Sequence, residues 1–196
     1  MLKIETIWRE LLFQSIEAKN RRFTQKELAQ KFGFSTSTIF QALKAPRKMG
    51  AVRVTGRFFV LEDPKKLLYH WASVRNLGKQ IIFKAKVDLP IMEIEGLVPP
   101  GAVFAGFAAA RRILGEPPAD YGEVHVYSDD LESIKKRLVF VKGRENLIVF
   151  KADPFLAQYG QITTLAQTFV DLWNLPSWQA KEFTQALEVK INGLLS

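Results

Sequence analysis

Cysteine is absent from the 196 residues, which excludes a disulfide framework, a cysteine nucleophile and a thiolate metal site. Its absence fits a reducing compartment. Histidine occurs only twice, as His70 and His125, too few for a histidine-rich metal centre. Long apolar runs are missing as well. The longest nearly uncharged one, Val98 to Ala110, falls short of the ~20 residues a helix needs to span a bilayer. The opening MLKIETIWRELLF carries charges inside its apolar pattern, unlike a signal-peptide core. The expectation is a soluble, cytoplasmic protein with no membrane contact. With 47% hydrophobic and 24% charged residues, no internal repeat and no low-complexity tract, the composition is that of a folded chain rather than a disordered one.

Positive charge is present in excess, and it is unevenly placed. Residues 1–78 hold 15 Lys and Arg against 6 Asp and Glu, a net of +9, while residues 79–196 hold 13 against 14, a net of −1. The stretch NLGKQ, Asn76 to Gln80, interrupts the apolar pattern between them. The expected organisation is therefore two domains, 1–78 and 79–196. The basic one faces a polyanion and the neutral one serves another purpose; a merely solvated basic surface is the plainer alternative.

In the first domain Ile4, Ile7, Trp8, Leu11, Leu12 and Ile16 recur at three- and four-residue spacing, the stripe of a helix from about Leu2 to Ala18. Asn20, Arg21 and Arg22 read as a loop. Thr24 and Glu27 then form a capping box, flanked by the apolar pair Phe23 and Leu28, so a second helix starts at Gln25 and runs to about Phe32. Gly33 suits a left-handed cap. Ser35 caps a third helix with Ile39, Ala42 and Leu43 on one face. Pro46 removes a helical hydrogen bond and disfavours helix at Ala45, so this helix is expected to kink or end near Lys44. Val52 to Val54 and Phe58 to Leu61 alternate like two strands joined by Thr55, Gly56 and Arg57, with Gly56 free to take positive φ in the turn. Pro64 after Asp63 opens a fourth helix carrying Leu67, Leu68, Trp71 and Val74.

The spacing of Ala29, Gly33 and Ile39 in TQKELAQKFGFSTSTIFQALK resembles the helix-turn-helix of DNA-binding proteins. With the hairpin after it, the segment resembles a winged helix. That resemblance implies double-stranded DNA as partner. Ser35, Thr36, Ser37 and Thr38 open the third helix, where hydroxyls and backbone amides favour phosphate. Gln41 could pair with adenine, and Lys44 with guanine or a phosphate. Arg47 and Lys48 follow on the same helix if it continues past the proline. Arg53 and Arg57 lie on the hairpin, Arg57 at its tip, suited to the minor groove or the backbone. Arg21, Arg22 and Lys26 lie near the start of the second helix, a place suited to a flanking phosphate.

The second domain mixes strands and helices, giving an α+β chain overall. Strands are expected at Ile81 to Val87, Ala102 to Phe107, Val124 to Tyr127, and Leu138 to Val141 with Leu147 to Lys151 around a turn at Gly143. Leu89 to Ile94 is short and mixed. A helix follows from about Ala108 to Leu114, and Ser128 caps another with Asp129, Asp130 and Glu132 in its first turn. Two helices finish the chain, separated by Pro176, with Ser177 capping the last.

The order AGFAAARRILG, EVHVYSDD, hairpin and terminal helices resembles the nucleotidyltransferase-like fold. With IVFKADPFLAQYGQITTLAQTFVDLW, the whole chain resembles the AbiEi-type antitoxins of type IV toxin–antitoxin systems. The resemblance implies a sequence-specific transcriptional regulator of the antitoxin type that regulates its own operon, whose second domain interacts or senses, and whose partners include a toxin protein or a second copy. The alternative is a nucleotidyltransferase-type enzyme with a basic nucleic-acid-binding arm. That chemistry needs two carboxylates two residues apart on a strand; here the positions hold Glu123 and His125, and Gly106-Phe107 stands where a Gly-Ser pair would grip phosphate. No catalytic residue, metal or cofactor is therefore expected.

Overall fold

A computed structural model describes all 196 residues as a mixed α+β protein of nine α-helices and two sheets. It divides into two compact units, Met1–Arg75 with Ile191–Ser196, and Asn76–Lys190. The division falls at Arg75 rather than at residue 78, and the last six residues belong with the first unit. Ile191 is buried there, while Lys19 Nζ and Arg21 Nη2 donate to the carbonyls of Leu194 and Leu195. Cations at a helix C-terminus satisfy carbonyls left without helical partners.

The first unit follows local signals closely. Helix α1 (Lys3–Ile16) buries Ile7, Leu11, Leu12 and Ile16 against α3 (Thr36–Lys48) and α4 (Pro64–Val74), and α2 (Gln25–Phe32) packs on α3; the buried residues of these three helices include Leu28, Phe32, Ile39, Leu43, Leu67 and Trp71. Thr24 Oγ1 accepts from the Glu27 amide at 3.1 Å and the Glu27 carboxylate accepts from the Thr24 amide at 3.0 Å, the reciprocal cap that starts α2. Gly33 ends α2 in the left-handed region at φ +62°, where a side chain would be strained.

Helix α3 departs from expectation. It neither kinks nor ends at Lys44 but continues to Lys48 with Pro46 buried inside it. Proline at 46 deprives the Ala42 carbonyl of its helical donor. The indole Nε1 of Trp8, reaching from α1, donates to that carbonyl at 2.7 Å. A distant side chain thus replaces the missing amide, so the helix keeps its hydrogen bonding through the proline.

Three short strands complete the unit: β1 (Arg22–Phe23), β2 (Val52–Val54) and β3 (Phe59–Leu61), antiparallel in the order β1-β3-β2. Strand β1 is a segment that reads as loop from sequence, because two residues become a strand only by pairing with Val60 and Phe59. The hairpin connection is four residues, Thr55 to Phe58. The Thr55 amide donates to Phe58 O at 2.8 Å and Thr55 Oγ1 to the same oxygen at 2.7 Å. Gly56 is not among the positive-φ glycines, so the turn does not use the freedom expected of it.

The second unit is built on a five-stranded mixed sheet of β4 (Ile81–Val87), β5 (Val103–Ala105), β6 (Val124–Ser128), β7 (Phe140–Val141) and β8 (Leu147–Lys151), in the order β5-β6-β8-β4-β7. β6 and β8 run parallel and the other neighbours antiparallel. β7 and β8 are not a hairpin pair, for β4 lies between them and pairs with both. Alternation along the strands sends Val87, Val124, Val126, Leu147 and Val149 to one face with Ile94 and Ile134. It sends Val103, Tyr127, Ile148 and Phe150 to the other, with Leu77 and Leu156. The segment around Leu89 holds a helix missed from sequence, α5 (Ile91–Leu97). Helix α6 starts at Gly106 and runs to Leu114, and α7 (Leu131–Arg137) is capped by Asp130, not Ser128: the Asp130 carboxylate accepts from the Ser133 amide at 2.9 Å, whereas Ser128 ends β6 buried. Helices α8 (Leu165–Trp173) and α9 (Trp178–Leu195) finish the chain, the latter capped by Ser177. No helix is long and apolar enough to cross a membrane.

Candidate nucleic-acid interface

The outward face of α3 is set by helical stepping of about 100° per residue. Ile39, Ala42, Leu43 and Pro46 are buried on one side. The other side exposes Thr36, Ser37, Phe40, Gln41, Lys44, Arg47 and Lys48, within an arc of about 140°. Because the helix survives Pro46, Arg47 and Lys48 extend this face instead of leaving it. Lys44, Arg47 and Lys48 are exposed and none meets a carboxylate; the Arg47 guanidinium lies 5.9 Å from the Phe40 ring centroid.

Not every expected residue is equally available. Ser35 Oγ accepts from the Thr38 amide at 3.2 Å and lies 3.0 Å from Thr38 Oγ1. These two hydroxyls hold the helix start, leaving Thr36 and Ser37 as its outward hydroxyls. On the hairpin, Arg57 is exposed, whereas Arg53 is engaged by Glu62 at 2.5 Å. Exposed Arg22 stacks on Phe58 at 3.5 Å, which joins β1 to the hairpin end. Lys26 is exposed on the first turn of α2. Arg21 is half-buried and spends its guanidinium on Leu195 O at 3.3 Å, so it is drawn away from a flanking phosphate. Phe40, 45% exposed, is the residue that sequence reasoning passed over. Its signal was present: it stands opposite the buried Ala42 in a helix whose other outward positions are polar.

The positions relevant to nucleotidyl transfer lie in the second unit. His125, the second residue of β6, is buried and neutral, its pKa pushed down to about 4 by burial and by the charge of Lys84. Its ring lies parallel to Phe150 at 5.7 Å. Gly106, at φ +52°, leaves it room: a Cβ there would stand 2.9 Å from His125 Nδ1. Glu123 Oε2 is 3.5 Å from His125 Nε2 at the start of β6, whereas Asp129 and Asp130 follow its far end, where hydrogen bonds from Ser133 lower the Asp130 pKa. These carboxylates flank β6 at its opposite ends rather than standing two residues apart on it.

No family model matches the chain, and no curated protein or solved structure does either.

Proposed function

We propose that the protein is a sequence-specific DNA-binding transcriptional regulator, and that its first unit is a winged helix that engages duplex DNA through α3 and the β2–β3 hairpin. The observation that carries this reading is the uninterrupted outward face of α3, with three cations free of carboxylates. Elements in the order α1-β1-α2-α3-β2-β3, with the sheet order β1-β3-β2, support it. A helix of this kind fits the major groove, where Gln41 meets a base edge and Thr36, Ser37, Lys44, Arg47 and Lys48 meet phosphates. Phe40 offers an apolar contact for a thymine methyl group. Arg57 at the hairpin tip, with Arg22 and Lys26, adds backbone contacts.

On the resemblance of its sequence to AbiEi-type antitoxins, we further propose that the target DNA lies upstream of the protein's own gene and that the second unit is an interaction or sensing module, with a toxin or a second copy as partner. We read this unit as non-catalytic, since a buried neutral His125 and carboxylates at opposite ends of β6 do not offer a metal-binding pair. Footprinting on the upstream DNA tests the proposal. Protection confined to one or two half-sites, lost in a Lys44→Ala/Arg47→Ala/Lys48→Ala variant, supports it; absence of protection by the wild-type chain removes it.

A further inference from the structure

Beside the outward face of α3, within the first unit, lies a cleft of 460 Å³. That volume falls in the range of small-molecule sites. Ile4, Trp8, Ala45 and Val74 give it largely apolar walls, and Gln41, Lys44 and Lys48 border it from α3. One carboxylate, Glu5, lines it, but both its oxygens are occupied. Oε1 accepts from Arg75 Nη1 at 3.0 Å and Trp71 Nε1 at 3.1 Å, and Oε2 from the Leu2 amide at 2.8 Å. The unneutralised charges of the cleft are therefore both positive, Lys44 and Lys48. His70, packed edge-on against Trp8 at 5.1 Å, adds an imidazole held towards its neutral form by partial burial.

Apolar walls of this kind repel a phosphate backbone but accept an aromatic or aliphatic body. Two unpaired ammonium groups beside them call for a negative group on that body. We propose that this cleft binds a small apolar carboxylate, an aromatic or short aliphatic acid, with its body against Trp8, Ile4 and Val74 and its carboxylate on Lys44 and Lys48. The same lysines lie on the face assigned to DNA, so the acid and the duplex compete; this consequence, unlike the site itself, rests on the DNA-binding reading. The site would turn the first unit into a sensor of its own ligand without relay from the second.

Two measurements on the full chain test this. In the first, 1H–15N spectra are recorded while 2-naphthoate is added, with neutral 2-naphthamide as control. The expected result is a saturable one-to-one shift of the Trp8 indole and the Lys44 and Lys48 amides. The amide should bind about fivefold more weakly, the size expected of two exposed ion pairs. Lys44→Gln/Lys48→Gln should erase that preference, and Ala45→Phe, which fills the cleft, should abolish binding while resonances of the second unit stay in place. No saturable shift, shifts located elsewhere, or equal affinity of wild type for acid and amide would overturn the site. In the second measurement, saturating 2-naphthoate should weaken duplex binding several-fold in wild type and leave the Ala45→Phe protein unaffected. Unchanged duplex affinity in wild type overturns the competition. Failure of the ligand-free protein to bind any duplex overturns the DNA-binding reading instead, and the first measurement still decides the cleft.

Discussion

In the first unit Lys44, Arg47, Lys48 and Arg57 stand exposed with no carboxylate partner, whereas in the second Arg111 and Arg112 converge on one buried carboxylate, Glu95, at 2.8 and 2.9 Å. Tyr121 adds its hydroxyl to Glu95 at 2.7 Å, and its pKa is pushed up to about 12 by burial and by that carboxylate. Its ring stacks on Phe107 and meets Phe183 edge-on, so this cluster pins the segment between α6 and β6 to the body of the unit. Exposed cations keep their hydration and add little to folding, which leaves them available to a polyanion. Cations committed to a buried carboxylate are part of the fold. The difference explains why a nearly neutral unit and a basic one can hold similar numbers of Lys and Arg yet suit different tasks.

Acid should separate the two units most. His125 is neutral in the folded state with a pKa near 4, against about 6.5 in the unfolded chain. Its contribution is complete above about pH 6.5. As pH falls the unfolded chain takes up a proton that the folded chain refuses, so stability is lost down to about pH 4, by about 3 kcal/mol in all. An NMR titration of the His125 ring checks this; a midpoint near the ordinary histidine value contradicts it. Glu95→Ala should cost the second unit about 2 to 3 kcal/mol, below the full cost for a buried pair because Arg111 and Arg112 are partly solvated. Duplex affinity should stay unchanged. Denaturant unfolding and a binding assay on one sample separate the two effects, and a parallel loss of affinity would break the comparison.

Within the first unit, Trp8→Phe should cost about 2 kcal/mol, because it leaves the Ala42 carbonyl without a donor as well as removing packing. In a Pro46→Ala background, where an amide returns to position 46, at least half of that cost should vanish. Equal costs in the two backgrounds, measured by urea unfolding, would show that the indole does not stand in for the proline amide. The smallest effect expected is that of Arg57→Ala, about 1 kcal/mol of duplex affinity, equal for all sequences. Gln41→Ala should instead relax preference at one base step.

The first unit was legible wherever its signals are local. The Thr24–Glu27 box, the Gly33 cap, Ser35 and the Asp63–Pro64 start each act within four residues, and each stands where the sequence places it. What could not be read depends on distant partners. Whether α3 passes Pro46 is decided by Trp8, 34 positions away along the chain from the carbonyl it serves. β1 exists only through β3, and β7 joins β4 across the sheet rather than its sequence neighbour β8. The same divide runs through the candidate interface. Exposure of Gln41 and Lys44 follows from helical periodicity, whereas that of Lys48 on the same face depended on the helix passing Pro46. The capture of Arg21 by the last turn of α9, and of Arg53 by Glu62, needed the tertiary structure.

The salt dependence of duplex binding tests the account most directly. With about five phosphate contacts from Lys44, Arg47, Lys48, Arg57 and Arg22 or Lys26, the logarithm of the association constant should fall against the logarithm of salt concentration with a slope of about −4 to −5. The Lys44→Ala/Arg47→Ala/Lys48→Ala variant should flatten that slope by about 3. A slope near zero for the wild-type protein, or one that the triple substitution leaves unchanged, would contradict the assignment of α3 to DNA.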